Sequence, residues 1–94
     1  MKLTIKPSHI STKKFDAVFE GDGVHKTIPF GAKGYDDFTK TKNEAQKDRY
    51  INRHEARENF NDPMTAGALS RWILWNRPSL HESIKDFKRR FQII

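Results

Sequence analysis

The first thirty residues alternate between apolar and polar positions. In KKFDAVFE, residues 13–20, Phe15, Ala17 and Phe19 stand against Asp16, Val18 and Glu20, the period-2 pattern of a strand buried on one face. GDG at 21–23 interrupts it, and glycine supplies the positive φ that a tight hairpin turn needs. VHKTIPF then returns, with Val24, Ile28 and Phe30 on one side and Lys26 breaking the series. Pro29 has no N–H to give a ladder, so this strand is expected at a sheet edge or ending there. The pattern predicts a hairpin from about Lys13 to Phe30. KLTI adds a third strand, with Leu3 and Ile5 on one face.

After Phe30 the period changes. FGAKGYDDFTKTK, to Lys42, reads as a connector: Gly31 and Gly34 interrupt regular structure, and Phe30, Tyr35 and Phe38 pin it down. TKNE at 41–44 has capping-box form, with Thr41 as N-cap and Glu44 reaching back, so a helix is predicted over about 43–58. Its largest uncharged side chains are Tyr50, Ile51 and His54, and so narrow an apolar face holds a helix weakly unless something covers it. A second helix is predicted from Asp62 as cap and Pro63 in the first turn. It runs through Leu69, Trp72 and Ile73 on one face, with Trp75 beyond, and Pro78 ends it. SLHE at 79–82 forms another capping box. The last helix spans about Leu80 to Phe91, with Leu80, Ile84, Phe87 and Phe91 as its apolar stripe. The expectation is α+β: an N-terminal antiparallel hairpin or small sheet followed by three α-helices. Residues 1–94 form a single small domain, β-rich over 1–30, a connector over 31–42, and helical over 43–94.

Composition sharpens one point. Only 35% of residues are hydrophobic, below the usual range of a soluble domain, so the core is small or completed by a partner. Yet Trp72, Ile73, Leu74 and Trp75 are consecutive. Four consecutive helical residues cover most of the circumference, and a helix apolar all round is surrounded by protein. Tryptophan also fills cores, which accounts for Trp72 on the face of Leu69. Part of the cluster is nonetheless expected to dock on another chain, through Trp72 and Trp75 flanked by Arg71 and Arg77, with the Tyr35/Phe38 loop beside it.

Charge suggests what else binds. The net charge is +6 and the isoelectric point about 9.8, which favours anionic partners. Every arginine lies in the second half, and Arg49, Arg53 and Arg57 fall at i, i+4 and i+8 beside Tyr50. That stripe is a solvated helix face, a contact for an acidic protein, or a row of phosphate ligands. The chain has no cysteine, which excludes disulfides, a thiol nucleophile and cysteine-ligated zinc. His9, His25, His54 and His81 lack metal-ligand spacing, and no nucleophile elbow, P-loop or dinucleotide fingerprint is present. No enzyme activity, cofactor, metal or small-molecule substrate is expected. No apolar run approaches the roughly 20 residues of a membrane span, and MKLTIKPSHIS lacks the apolar centre of a signal peptide. A non-secreted product is expected.

Three blocks, FGAKGYDDFT, RYINRHEARE and GALSRWILWNRPSLHESI, resemble a family of short proteins from large double-stranded DNA viruses of eukaryotes and from some algae. There the pattern is similar to FGAxGYxDYT, RYxxRHxxRE and GxLSRxxLWxxPxLxxSI. Phe38 stands where tyrosine is expected and Phe60 where tryptophan is, both aromatic for aromatic. The resemblance implies a non-enzymatic virion component made in the host cytoplasm or nucleus, of minor capsid or cement type. Its partners would be other virion or capsid proteins, or further copies of itself. The alternative is a basic nucleic-acid-binding accessory protein, with Arg49, Tyr50, Arg53 and Arg57 as its contact.

Overall fold

The computed structural model describes residues 1–94. Strands β1 (Lys2–Pro7), β2 (Lys13–Gly21) and β3 (Val24–Ala32) form one antiparallel sheet in the order β1-β2-β3. The hairpin closes where the sequence predicts. Gly21 pairs with Val24, and Asp22 and Gly23 between them both have positive φ, 54° and 79°, the two-residue turn that matches strand twist. The registers Leu3↔Phe19, Ile5↔Ala17 and Phe15↔Phe30 gather the predicted apolar positions on one face. β3 pairs only with β2, so Pro29 sits on an edge strand as expected, and β3 runs two residues past Phe30.

That face is the floor of the core. Leu3, Ala17, Phe19 and Phe30 are buried there under Phe38, Leu69, Ile73, Leu74, Trp75 and Phe87. The opposite face is covered at one point, where Asp16, only 1% exposed, is capped by the loop between β1 and β2. Ser8 Oγ donates to it at 2.6 Å, the His9 backbone N–H donates at 3.1 Å, and His9 Nδ1 lies at 2.5 Å.

Four α-helices follow the sheet, where three are expected. The extra one, α1 (Phe38–Thr41), lies inside the connector and is capped by Asp37, which accepts from the Thr39 N–H at 2.9 Å. Thr41 is therefore used at the end of α1. It does not cap the next helix, α2 (Glu44–His54); Asn43 does, accepting from the Gln46 N–H at 3.0 Å. α2 also stops short of the predicted Glu58, because Asn59 and Asp62 hydrogen-bond to nearby backbone and turn the chain. The Asn61 N–H donates to Asn59 Oδ1 at 3.0 Å, and the Met64 N–H to Asp62 Oδ1 at 3.1 Å. Such side-chain bonds compete with helix. Asp62 is thereby spent on a turn, and Thr65 caps α3 (Ala66–Leu69) by accepting from the Ala68 N–H at 3.2 Å.

The predicted second helix changes its winding. From Ser70 to Leu74 it is a π turn, closed by the Trp75 N–H donating to the Ser70 carbonyl at 3.0 Å, one residue further than an α turn. The wider turn brings Ile73, Leu74 and Trp75 inward together, 0%, 2% and 9% exposed, and leaves Trp72 half-buried on the outside. The expected face of Leu69, Trp72 and Ile73 is thus corrected to Leu69, Ile73, Leu74 and Trp75. The chain itself covers most of the WILW cluster. Gly31 is part of that closure: its φ is +78°, and a Cβ there would stand 2.7 Å from Leu74 Cδ1. The last helix, α4 (Leu80–Arg90), starts at the predicted box, with Ser79 Oγ accepting from the Glu82 N–H at 3.3 Å. Its Phe87 is buried, while Leu80, Ile84 and Phe91 are partly so.

Candidate functional site

α2 has no fully buried residue. One face of it, Gln46, Arg49, Tyr50, Arg53 and His54, lines an open cleft of about 660 Å³, and these positions share a face by helical spacing. Tyr50 tethers the helix. Its ring stacks on Trp75 of the π turn at 4.5 Å and 8°, and on His54 at 4.2 Å and 27°, so Trp75, Tyr50 and His54 make one column. Lys13 from the start of β2, Tyr35 from the connector and Ser70 from the π turn complete the lining. A cleft of this size is larger than so short and polar a sequence led us to expect.

The charges in the cleft are not balanced. Lys14 is taken up by Asp37, Nζ to Oδ2 at 2.5 Å, with both side chains buried. Lys13, Arg49 and Arg53 have no carboxylate within 4.0 Å. Glu58 lies 3.5 Å from His54 Nδ1 through Oε1. Its Oε2 is shut against Gly67, where a Cβ would collide with it, so residue 67 must be glycine for Glu58 to reach the wall. Burial, helped by the Glu58 charge, pushes the Tyr50 hydroxyl up to about 12, against a hydrogen bond to Ser70 and the charges of Arg71 and Arg53. Tyr50 is therefore a neutral stacking ring at physiological pH.

The sequence-predicted residues divide between this cleft and elsewhere. Arg49, Tyr50, Arg53, Tyr35 and Trp75 converge on the cleft. Arg57 lies beyond the end of α2, in a turn where its N–H donates to the His54 carbonyl at 3.0 Å, so the three-arginine stripe is shortened to two. Phe38 is 2% exposed and Trp75 9%, so neither side chain is offered to a partner. Tyr35 is 72% exposed. Trp72 serves structure: its indole N–H donates to the Phe60 carbonyl at 2.7 Å, and its ring lies between the guanidinium groups of Arg71 (4.1 Å) and Arg90 (3.6 Å). Arg71 also closes the π turn by donating to the Trp75 carbonyl at 2.8 Å.

Arg77 belongs to a second cluster around Asp86 on α4. Asn76 Nδ2 donates to Asp86 at 2.7 Å, Arg89 stands at 3.2 Å, and Arg77 and Arg90 at 3.6 Å. Burial raises the Asp86 carboxyl, and Asn76 and the three arginines outweigh burial and hold it below its ordinary value. The sequence reading missed Lys13, Gln46 and Ser70 in the cleft, because nothing local in the sequence brings the start of β2 or the π turn to α2.

No group of three histidine, cysteine or acidic side chains is gathered as a metal site would need, and no helix is long and apolar enough to cross a membrane. A family model described as a family of unknown function, DUF5754, matches residues 3–54. That is more than half of the chain. The protein belongs to DUF5754. The matched segment carries all of β1 to β3 and α2 through to His54, so this DUF5754 member has Lys13, Tyr35, Arg49, Tyr50, Arg53 and His54 inside the family region. No curated protein and no solved structure matches it.

Proposed function

We propose that this chain is a non-enzymatic nucleic-acid-binding protein that grips phosphates with Lys13, Arg49 and Arg53. The observation that carries the reading is that these three cations line one cleft with no carboxylate beside them, in a chain of net charge +6. Unpaired lysine and arginine on a concave face are what a phosphate backbone exchanges for its counterions. The three sequence blocks shared with proteins of large double-stranded DNA viruses support a role in handling or packing a viral genome, with the protein carried in the virion.

The experiment is titration of fluorescently labelled single-stranded and duplex oligonucleotides with the purified chain across a salt series. Binding is expected at low salt. For single strands the logarithm of affinity should fall with the logarithm of salt at a slope of about −2, roughly −0.7 for each of three phosphate contacts. Combining Arg49→Glu with Arg53→Glu should remove it. No binding at low salt would sink the proposal.

A virion structural component of minor capsid or cement type is the second reading. One observation favours it: no strand pairs with the outer edge of β3, and open edges are templates for pairing with another chain. A self-assembly insensitive to salt, in a protein that ignores nucleic acid, would select this reading over the first.

A further inference from the structure

The cleft combines cations with rings, and a duplex has use only for the cations. α2 brings two parallel stripes to it. Arg49 and Arg53 stand four residues apart, about 6 Å along the axis, and Tyr50 and His54 repeat that interval one residue on. The ring column that begins at Trp75 ends at His54, whose side chain is 32% exposed. Tyr35, on the lining of the same cleft, is 72% exposed and stacks on no other ring. Both are places for a further planar group. Duplex nucleic acid keeps its bases stacked on each other and turns phosphates and groove edges outward. A single strand splays its bases and stacks them on aromatic side chains. The cleft volume, about 660 Å³, falls within the roughly 300–1,000 Å³ of pockets that enclose small ligands, so it admits an unstacked nucleotide. A duplex, being convex, would touch only its rim.

We infer that the ligand of this cleft is single-stranded nucleic acid. Its phosphates lie along Lys13, Arg49 and Arg53, and a base stacks on Tyr35 or extends the column at His54. Gln46 and Ser70, both half-buried on the lining, are the hydrogen-bonding groups nearest that base. The inference rests on the nucleic-acid reading above and adds the requirement for an unpaired base.

Three fluorescent probes of equal length separate the two statements: an oligothymidylate strand, an abasic strand with the same backbone, and a duplex. Each is titrated with the full chain at low salt. The oligothymidylate strand should bind roughly tenfold or more tightly than the abasic strand, the size expected from stacking of one base, and more tightly than the duplex. Tyr35→Ala changes an exposed side chain, so it tests the contact without unfolding the core. It should weaken the oligothymidylate complex by up to about tenfold and weaken the abasic complex far less. Equal affinity for all three probes, together with an unaffected Tyr35→Ala and an unaffected His54→Ala, would overturn the single-strand inference and leave phosphate binding standing. Failure of all three probes to bind would remove both.

Discussion

At the scale of single residues, two positions carry more than their size suggests. Gly31 holds a φ of +78° with the Leu74 methyl 2.7 Å from where a Cβ would be. Alanine there meets backbone strain and overpacking together, each of order 1–3 kcal/mol. Gly31→Ala should lower the urea midpoint with an unchanged m-value. Asp16 is the second. Burial raises its carboxyl, but hydrogen bonds from the Ser8 and His9 side chains and the His9 backbone outweigh it and hold the carboxyl at about 2, against 3.8 for the free group. A depressed folded value means that the unfolded chain takes up the proton first. The stabilisation is complete above 3.8 and is lost as pH falls from there through about 2. The thermal midpoint should drop over that window, and Asp16→Asn should drop less, having lost the stabilisation already at neutral pH.

Elements differ in what holds them. The sheet and α4 are tied into the buried core through Phe19, Phe30 and Phe87. α2 is not: it buries no residue fully and reaches the rest of the fold chiefly through Tyr50 on Trp75 and Lys47 donating to the Asn76 carbonyl at 2.9 Å. Elements with few buried apolar contacts open first. Tyr50→Ala should therefore cost amide protection across Glu44–His54 in hydrogen exchange while the β2 amides stay protected; equal loss in both would mean that α2 and the sheet unfold as one unit. The same contrast sets what the sequence discloses. The strands are legible because Phe15, Ala17 and Phe19 alternate, the hairpin because Asp22 and Gly23 sit at the turn, and the start of α4 because Ser79 and Glu82 are local. The cap of α2 is not, since Thr41 and Asn43 are both suited to it and only the unforeseen α1 uses Thr41. Nor is the Trp75–Tyr50 stack, because those rings are far apart in sequence and meet only through tertiary packing.

Over the whole molecule, the acids are spent on structure and the bases are left over. Asp16, Asp37 and Asp86 are buried with polar or cationic partners, while Lys13, Arg49 and Arg53 have none. The excess of +6 is thus a surface property, concentrated in part where α2 borders the cleft. The low hydrophobic content and the dense WILW segment suggest a core needing a partner, and the π turn removes that need by turning three consecutive apolar residues inward. Periodicity reading misses this because it assumes one winding throughout. The π turn also makes the chain sensitive to its length at this point. Loss of one residue between Ser70 and Leu74 would rewind the turn to α and swing everything after it by about 100°, carrying Trp75 off Tyr50 and α4 off the sheet. Conservative replacements are therefore tolerable along this segment, whereas a deletion of a single codon is not, and its reading frame of helical turns is inherited as a unit.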